Sequence, residues 1–472
     1  MAAFRTPVQF TSQSHPEESS TLHTFSAEAS AGLGGPRWLQ RRRESAYAAF
    51  SSTPLPSESE EVWRYTPIDK LDLTEFAPPT PHATPNRTNG AAQSDADALL
   101  TDLTTSLGPT AGHVLVHNGV PGVFVLATGT DAPPAPLAFG DASTVSLAEE
   151  MLGSVQAGGD ALVRLNDAFV PDAVFVDVSA GASTSAPLLV VHWCDDPAAF
   201  PRLCVRAGEG AHVSVVEVFA GPTTDTSALV VPVTELSAAA GASVAYVSLQ
   251  VLGPAAWSIA RLAARGGEGA TLRTFTVGLG AGYDRIRADV SVDGKDARSE
   301  ILSAYLGDGR QVHDIRTLQD HCAPKTDSEL LCQGAVAGES RSVYSGLIRV
   351  HRGAVKSDAR QTNHNLVLDE GAHADSVPNL DILENDVKCS HASTVGPLDE
   401  DQRYYIESRG VSPEVAEGLI VRGFFDAIID RGPVPAVTPL LRREVHERLD
   451  AALGRRRRIS ESEAEAEAMA ER

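Results

Sequence analysis

The chain has 472 residues, 42% of them hydrophobic and 21% charged, with a formal net charge of −23. That length allows roughly two or three domains with substantial cores, and the composition is that of a folded globular protein. So negative a surface repels phosphate backbones and anionic lipid, which argues against nucleic acid and membrane as partners.

No run of about 18 apolar residues predicts a transmembrane helix. The first residues, MAAFRTPVQFTSQSHPEESS, lack an apolar segment of secretory length. The expected location is therefore the cytoplasm. The five cysteines, Cys194, Cys204, Cys322, Cys332 and Cys389, are odd in number, widely spaced and free of a CxxC pattern. Reduced thiols are expected, not a disulfide framework.

Residues 1–30, rich in Ser, Thr, His and Glu, read as a disordered tail. Residues 31–110 read as an N-terminal helical region and linker. Trp38, Leu39, Ala46 and Phe50 fall near helical spacing, and Ser51-Ser52-Thr53-Pro54 ends that helix. A Pro-bounded segment with Trp63 and Tyr65 follows, then the polar linker PPTPHATPNRTNGAAQSD and a short helix at 94–106.

Residues 111–395 have a β texture. A Gly-Ala pair followed by an alternating apolar run recurs at Gly210, Gly241, Gly269 and Gly371; the first three starts are 31 and 28 residues apart. Such spacing predicts coils that stack to bury a shared core, a β-solenoid. The lack of long helical segments argues against a doubly wound α/β fold, and a β-sandwich stays open.

Residues 396–450 read as a C-terminal helical domain. Ser412 is the expected N-cap, with Pro413 and Glu414 behind it. Val415, Leu419, Phe424, Ala427 and Ile428 form one apolar stripe; Val421, Phe425 and Ile429 leave a second flank. That much apolar surface predicts either a docking site or burial on all sides. TPLLRREVHERLDAAL is a second helix, and residues 451–472 read as a charged mobile tail in which Arg455–Arg458 is solvated.

Several chemistries are missing. There is no GxxxxGK[ST] phosphate loop, since Gly294-Lys295 is followed by Asp296, and GLGAG at 278–282 is a turn. Neither HExxH nor GxSxG occurs. His313, His321 and Cys322 match no closed zinc pattern and read as packing. In KCSHAST, strand alternation sets Val387, Cys389 and His391 on one face, with the Cα atoms of the Cys–His pair roughly 6.6 Å apart. Thiolate and imidazole both accept Fe(II), yet two ligands do not complete a site. The residues alone leave open a buried cysteine beside a satisfied histidine.

Taken together, WRYT at 63–66, TLQDH at 317–321, YSGLIRV at 344–350, QTNHNLVL at 361–368, KCSHAST at 388–394 and YYIESRGVSPEVAEGLIVRGFF at 404–425 resemble the SufB/SufD family of iron–sulfur cluster assembly scaffolds. The likeness is dense from about 270 to 430. KCSH is similar to the SufD branch, and Ile406 stands where the SufB branch carries a cysteine. The resemblance implies a mainly β fold, a right-handed parallel β-helix flanked by N- and C-terminal helical domains. It implies a non-catalytic scaffold that pairs with SufB through the β-helix and binds the SufC ATPase through the C-terminal helices. Tyr404, Tyr405, Val421, Phe424, Phe425 and Ile429 are then the docking candidates. It also implies that His391, with Cys389 beside it, meets iron or a nascent Fe–S cluster shared with SufB. No nucleotide site is expected on this chain; reduced flavin at the level of the complex and a homodimer of the free chain are both compatible. The competing expectations are a β-helix polysaccharide lyase or hydrolase, and a flavin-dependent reductase subunit.

Overall fold

The alternating apolar runs beyond residue 112 become strands that pair mainly in parallel. The computed structural model, which describes residues 24–80, 90–127, 137–156 and 159–470, winds them into a β-solenoid of two 11-stranded sheets. Successive strands alternate between the sheets, so each strand pairs with those one coil before and after it. In one sheet Ser299 lies opposite Ser328, then Ala359, then Cys389. In the other, Val292 lies opposite His321, then Val350, then Ile382. The first coils start irregularly, with Gly112–His117 and Leu137–Gly140 each making antiparallel pairs.

The Gly-Ala repeat is the signature of one corner. Gly210, Gly241 and Gly269 have φ of +64°, +65° and +65°, a region that costs an L-residue free energy and suits glycine. Each donates its amide to the next coil, at Ala240, Glu268 and Lys295 respectively, over 2.8–2.9 Å. The alanine that follows, Ala211, Ala242 or Ala270, is fully buried in the corner. The repeat does not stop there. Asp296, Lys325 and Lys356 occupy the same left-handed seat at φ of 60–62°, followed by buried Ala297, Thr326 and Ser357. Gly371-Ala372 belongs elsewhere: it precedes His373–Ile382 in the opposite sheet, one residue past the corner position that Gly309 and Gly338 hold on the preceding coils.

Strands buried on both faces read as continuous apolar runs, and each face has its own cover. The inner faces pack on each other through residues such as Val190, Leu236, Leu262 and Ile301. The outer face of one sheet, with Val247, Phe275 and Leu302, receives the C-terminal helices through Val421, Phe425, Ile428 and Leu441. The other sheet receives the N-terminal region through Phe50, Trp63 and Ile68. WRYT is fixed there by polar anchors: the Arg285 guanidinium stacks 3.6 Å from the Trp63 ring centroid and donates to the Val62 carbonyl at 2.9 Å. Arg316 donates to the Arg64 carbonyl at 2.8 Å. Both guanidiniums pair with the buried Asp314 carboxylate, so neither charge is left unpaired in the interior.

Three boundaries depart from expectation. Phe25 and Ser30 are buried, and Ala27–Gly32 is a short helix capped by Ser26, so the ordered chain starts before residue 31. The rest of the expected N-terminal tail, residues 1–23, and linker residues 81–89 lie outside the described residues. The helix expected at 94–106 runs from Gly90 to Leu107. The last helix, Thr438–Ala470, continues through the stretch read as a mobile tail, and Arg455 pairs with Asp308 instead of facing solvent alone.

His313 and His321 are packing residues, as the spacing implied. His313 stacks on Tyr305 with centroids 5.5 Å apart. His321 meets the Thr326 and Ser328 hydroxyls, each at 2.7 Å. Burial pushes His321 down to about 4, with the Asp358 charge opposing. Because the folded value lies below the unfolded one, the stabilisation is complete above about 6.5 and is lost as pH falls toward about 4. The loss is up to about 3 kcal/mol. In urea titrations, His321→Gln should shrink the stability gap between about pH 7 and pH 4 by up to that amount.

Candidate functional site

The solenoid ends on a coil with no successor among the described residues. Lys388–Gly396 closes one sheet and His373–Ile382 the other. A strand at the end of a ladder presents unpaired backbone groups on its free side. Apolar side chains are exposed here as well: Leu380, Ile382, Leu383 and Val395.

Cys389 and His391 stand on this last coil. Strand register stacks Cys389 on Ala359 and His391 on Gln361. Ala359 and Gln361 are buried inside the solenoid, so the two candidate ligands point toward the lumen at its open end. Cys389 is half-buried against Ile348, Val350, Ala354 and Ala359, and burial, then the Asp358 charge, raises its thiol above the usual range. His391 is exposed. Of the buried-cysteine, satisfied-histidine reading, the cysteine half fits in part, since Cys389 is half-buried, whereas the exposed His391 departs from it. Alternation gave the face; the end of the stack decides the exposure. Among the described residues, no third Cys, His or carboxylate gathers with this pair into a cluster.

Beneath His391 the lumen changes character. The inward column at its register runs Ile301, Leu330, Gln361, His391, apolar in the middle of the rod and polar at the end. Ser393 donates to Ser376 across the mouth at 2.6 Å, Ser376 to the Asn363 side-chain oxygen at 2.9 Å, and Asn365 to the same oxygen at 2.7 Å. Tyr305 donates to Asn365. Its ring lies where a Cβ at position 334 would come within 1.9 Å, so Gly334 is required for that approach. Gln361 is 1% exposed, and neither of its amide atoms has a hydrogen-bond partner. A buried polar group left unpaired calls for an explanation beyond packing. QTNHNLVL was noticed only as a likeness; its odd positions, Gln361, Asn363 and Asn365, alternate inward as strand residues do, the signal that marks them as lumen residues.

The C-terminal docking candidates divide. Tyr404 and Tyr405 are 73% and 58% exposed, and Val415 and Leu419 are 54% and 47% exposed. Phe424 is half-buried. Val421, Phe425 and Ile429 are fully buried against the chain's own sheet, which corrects their assignment to a free docking face. Ala427 is exposed and Ile428 is buried, so the first stripe does not share one environment either. Helical periodicity gives two apolar flanks but not which one the sheet takes. Arg431 fixes the far end of this helix by pairing with Glu300 at 2.8 Å and Glu329 at 2.9 Å.

Comparison with known proteins agrees with this architecture. Residues 191–424 match the family described as SUF system FeS cluster assembly, SufBD core domain. The chain is 28% identical to the iron-sulfur cluster assembly protein SufD of Escherichia coli, over 79% of this chain and 84% of that one. It is 26% identical to protein ABCI7, chloroplastic, of Arabidopsis thaliana, over 84% and 83%. An iron-sulfur cluster assembly SufBD family protein of Mycobacterium leprae is 38% identical over 42% of this chain, and there the match spans about half the relative's length. Residues 191–424 thus carry the core domain of the SufB/SufD family, and over most of its length the chain is similar to SufD. No helix among the described residues is long and apolar enough to cross a membrane.

An unpaired amide contributes nothing to stability that an apolar side chain of similar volume would not. Gln361→Leu should therefore leave the urea midpoint unchanged or raise stability by up to about 2 kcal/mol. A loss above about 1 kcal/mol would mean that the amide is satisfied in solution.

Proposed function

We propose that this chain is a non-catalytic scaffold of iron–sulfur cluster assembly whose last coil is completed by the related solenoid of SufB. The observation that carries the reading is the open end: two edge strands, four exposed apolar side chains and an exposed His391 at the mouth of a polar lumen. Apolar side chains on an unpaired edge favour association. A second solenoid end would continue both ladders and supply the ligands that Cys389 and His391 lack. Iron, or the nascent cluster, is the cargo held between the two chains. Imidazole nitrogen is a suitable ligand for Fe(II). Cys389, with its raised thiol, binds only by giving up a proton.

The SufC ATPase docks, in this reading, on the exposed face made by Tyr404, Tyr405, Val415 and Leu419. The opposite side of that helical domain is packed on the sheet through Val421, Phe425 and Ile429. Those three couple rather than dock: a rigid contact carries movement of the ATPase subunits into the rod. Hydrolysis belongs to SufC, and the location of the complex is the cytoplasm.

Two measurements test this. In a complex co-expressed with SufB and SufC chains, His391→Ala should leave assembly intact and lower cluster yield about tenfold or more; full yield with intact assembly removes the ligand role. The double variant Tyr404→Ala and Tyr405→Ala should lose SufC in pull-down yet retain SufB, with stability changed by less than about 0.5 kcal/mol per site, as for exposed substitutions. Retention of SufC would displace the docking face.

A further inference from the structure

Stacking also brings together residues that are remote in sequence on the rod's outside. Past the end of the strand Val312–His321, Cys322 donates its amide to Val292 at 3.2 Å; one coil on, His351 donates its amide to His321 at 2.9 Å. The two residues therefore occupy the same register position on successive coils, one strand spacing apart, roughly 4.8 Å. Asp320, two residues before Cys322, lies on the same side of the strand. The ligand atoms of Asp320, Cys322 and His351 all fall within 4.8 Å of one another. His351 Nε2 lies 2.9 Å from one Asp320 oxygen, and the Cys322 thiol donates to the other at 3.7 Å. Cys322 is exposed and the other two are partly so, so an ion can reach them.

From this geometry we propose that Asp320, Cys322 and His351 form a second metal site, open on one side, for a divalent cation of borderline softness such as Fe(II) or Zn(II). One thiolate, one imidazole and one carboxylate suit that class of cation, and three protein ligands leave a fourth position for water or an exchanging ligand. The donors come from two coils held by continuous backbone ladders, so the site is largely pre-formed. Partial burial and the Asp320 and Asp293 carboxylates push the Cys322 thiol up to about 11; the same negative charges that oppose a thiolate attract a cation. The site is separate from the Cys389–His391 pair and does not rest on the scaffold reading.

The test is anaerobic titration of the full, reduced chain with Co(II), whose thiolate complexes have a charge-transfer absorption that carboxylate and imidazole complexes lack. The wild type should develop this band at about one ion per chain. Cys322→Ser should abolish it, and His351→Ala should weaken binding about tenfold or more. The paired variant Cys389→Ser with His391→Ala should keep it. Absence of the band in the wild type, its survival in Cys322→Ser, unchanged affinity in His351→Ala, or its loss in the paired variant would each overturn the proposal. Cys322 is exposed, so its variant should fold; circular dichroism checks that.

Discussion

Backbone satisfaction in a stack of parallel strands is the constraint on which the molecule depends. Each coil finds partners for its amides and carbonyls only in the coils above and below it. Even the corner marked by the Gly-Ala repeat obeys this rule, because its left-handed residues, from Gly210 to Lys356, donate to the next coil. A rod built this way has a regular middle and an unavoidable problem at its ends. The first coils meet it with short antiparallel additions. The last coil leaves both of its strands at a sheet edge, and Cys389 and His391 stand there.

The side-chain filling follows the same logic. An apolar column carried to the last coil would expose a greasy mouth to water. Here the lining turns polar over the last two coils, through Gln361, Asn363, Asn365, His391 and Ser393. Most of these amides and hydroxyls bond one another, whereas Gln361 does not. The C-terminal helix lies along the outer face of the sheet that carries Cys389 and His391. One sheet thus links the helical domain to the open end through tightly packed side chains.

Much of the fold was legible because the corner needs a special residue. Gly-Ala marked three successive coils and set their spacing. The signal then vanished where Asp296, Lys325 and Lys356 took the seat, since they hold a backbone shape that their side chains do not announce. The site was half legible. Period-two alternation put Cys389 and His391 on one face, but no local pattern says which coil is last, so their exposure could not be read. Nor does helical period distinguish the flank of 413–429 that its own sheet covers from the flank left free. Asp320 and His351 are 31 residues apart; only the stack makes them neighbours.

The central claim is that a second solenoid completes the unfinished ladder at Lys388–Gly396 and His373–Ile382. Amide hydrogen exchange on those two strands tests it most directly. Alternate amides on their free side should exchange rapidly in the isolated chain and become protected about 100-fold or more once the SufB partner is bound. Unchanged exchange at these strands within an intact complex would contradict the account.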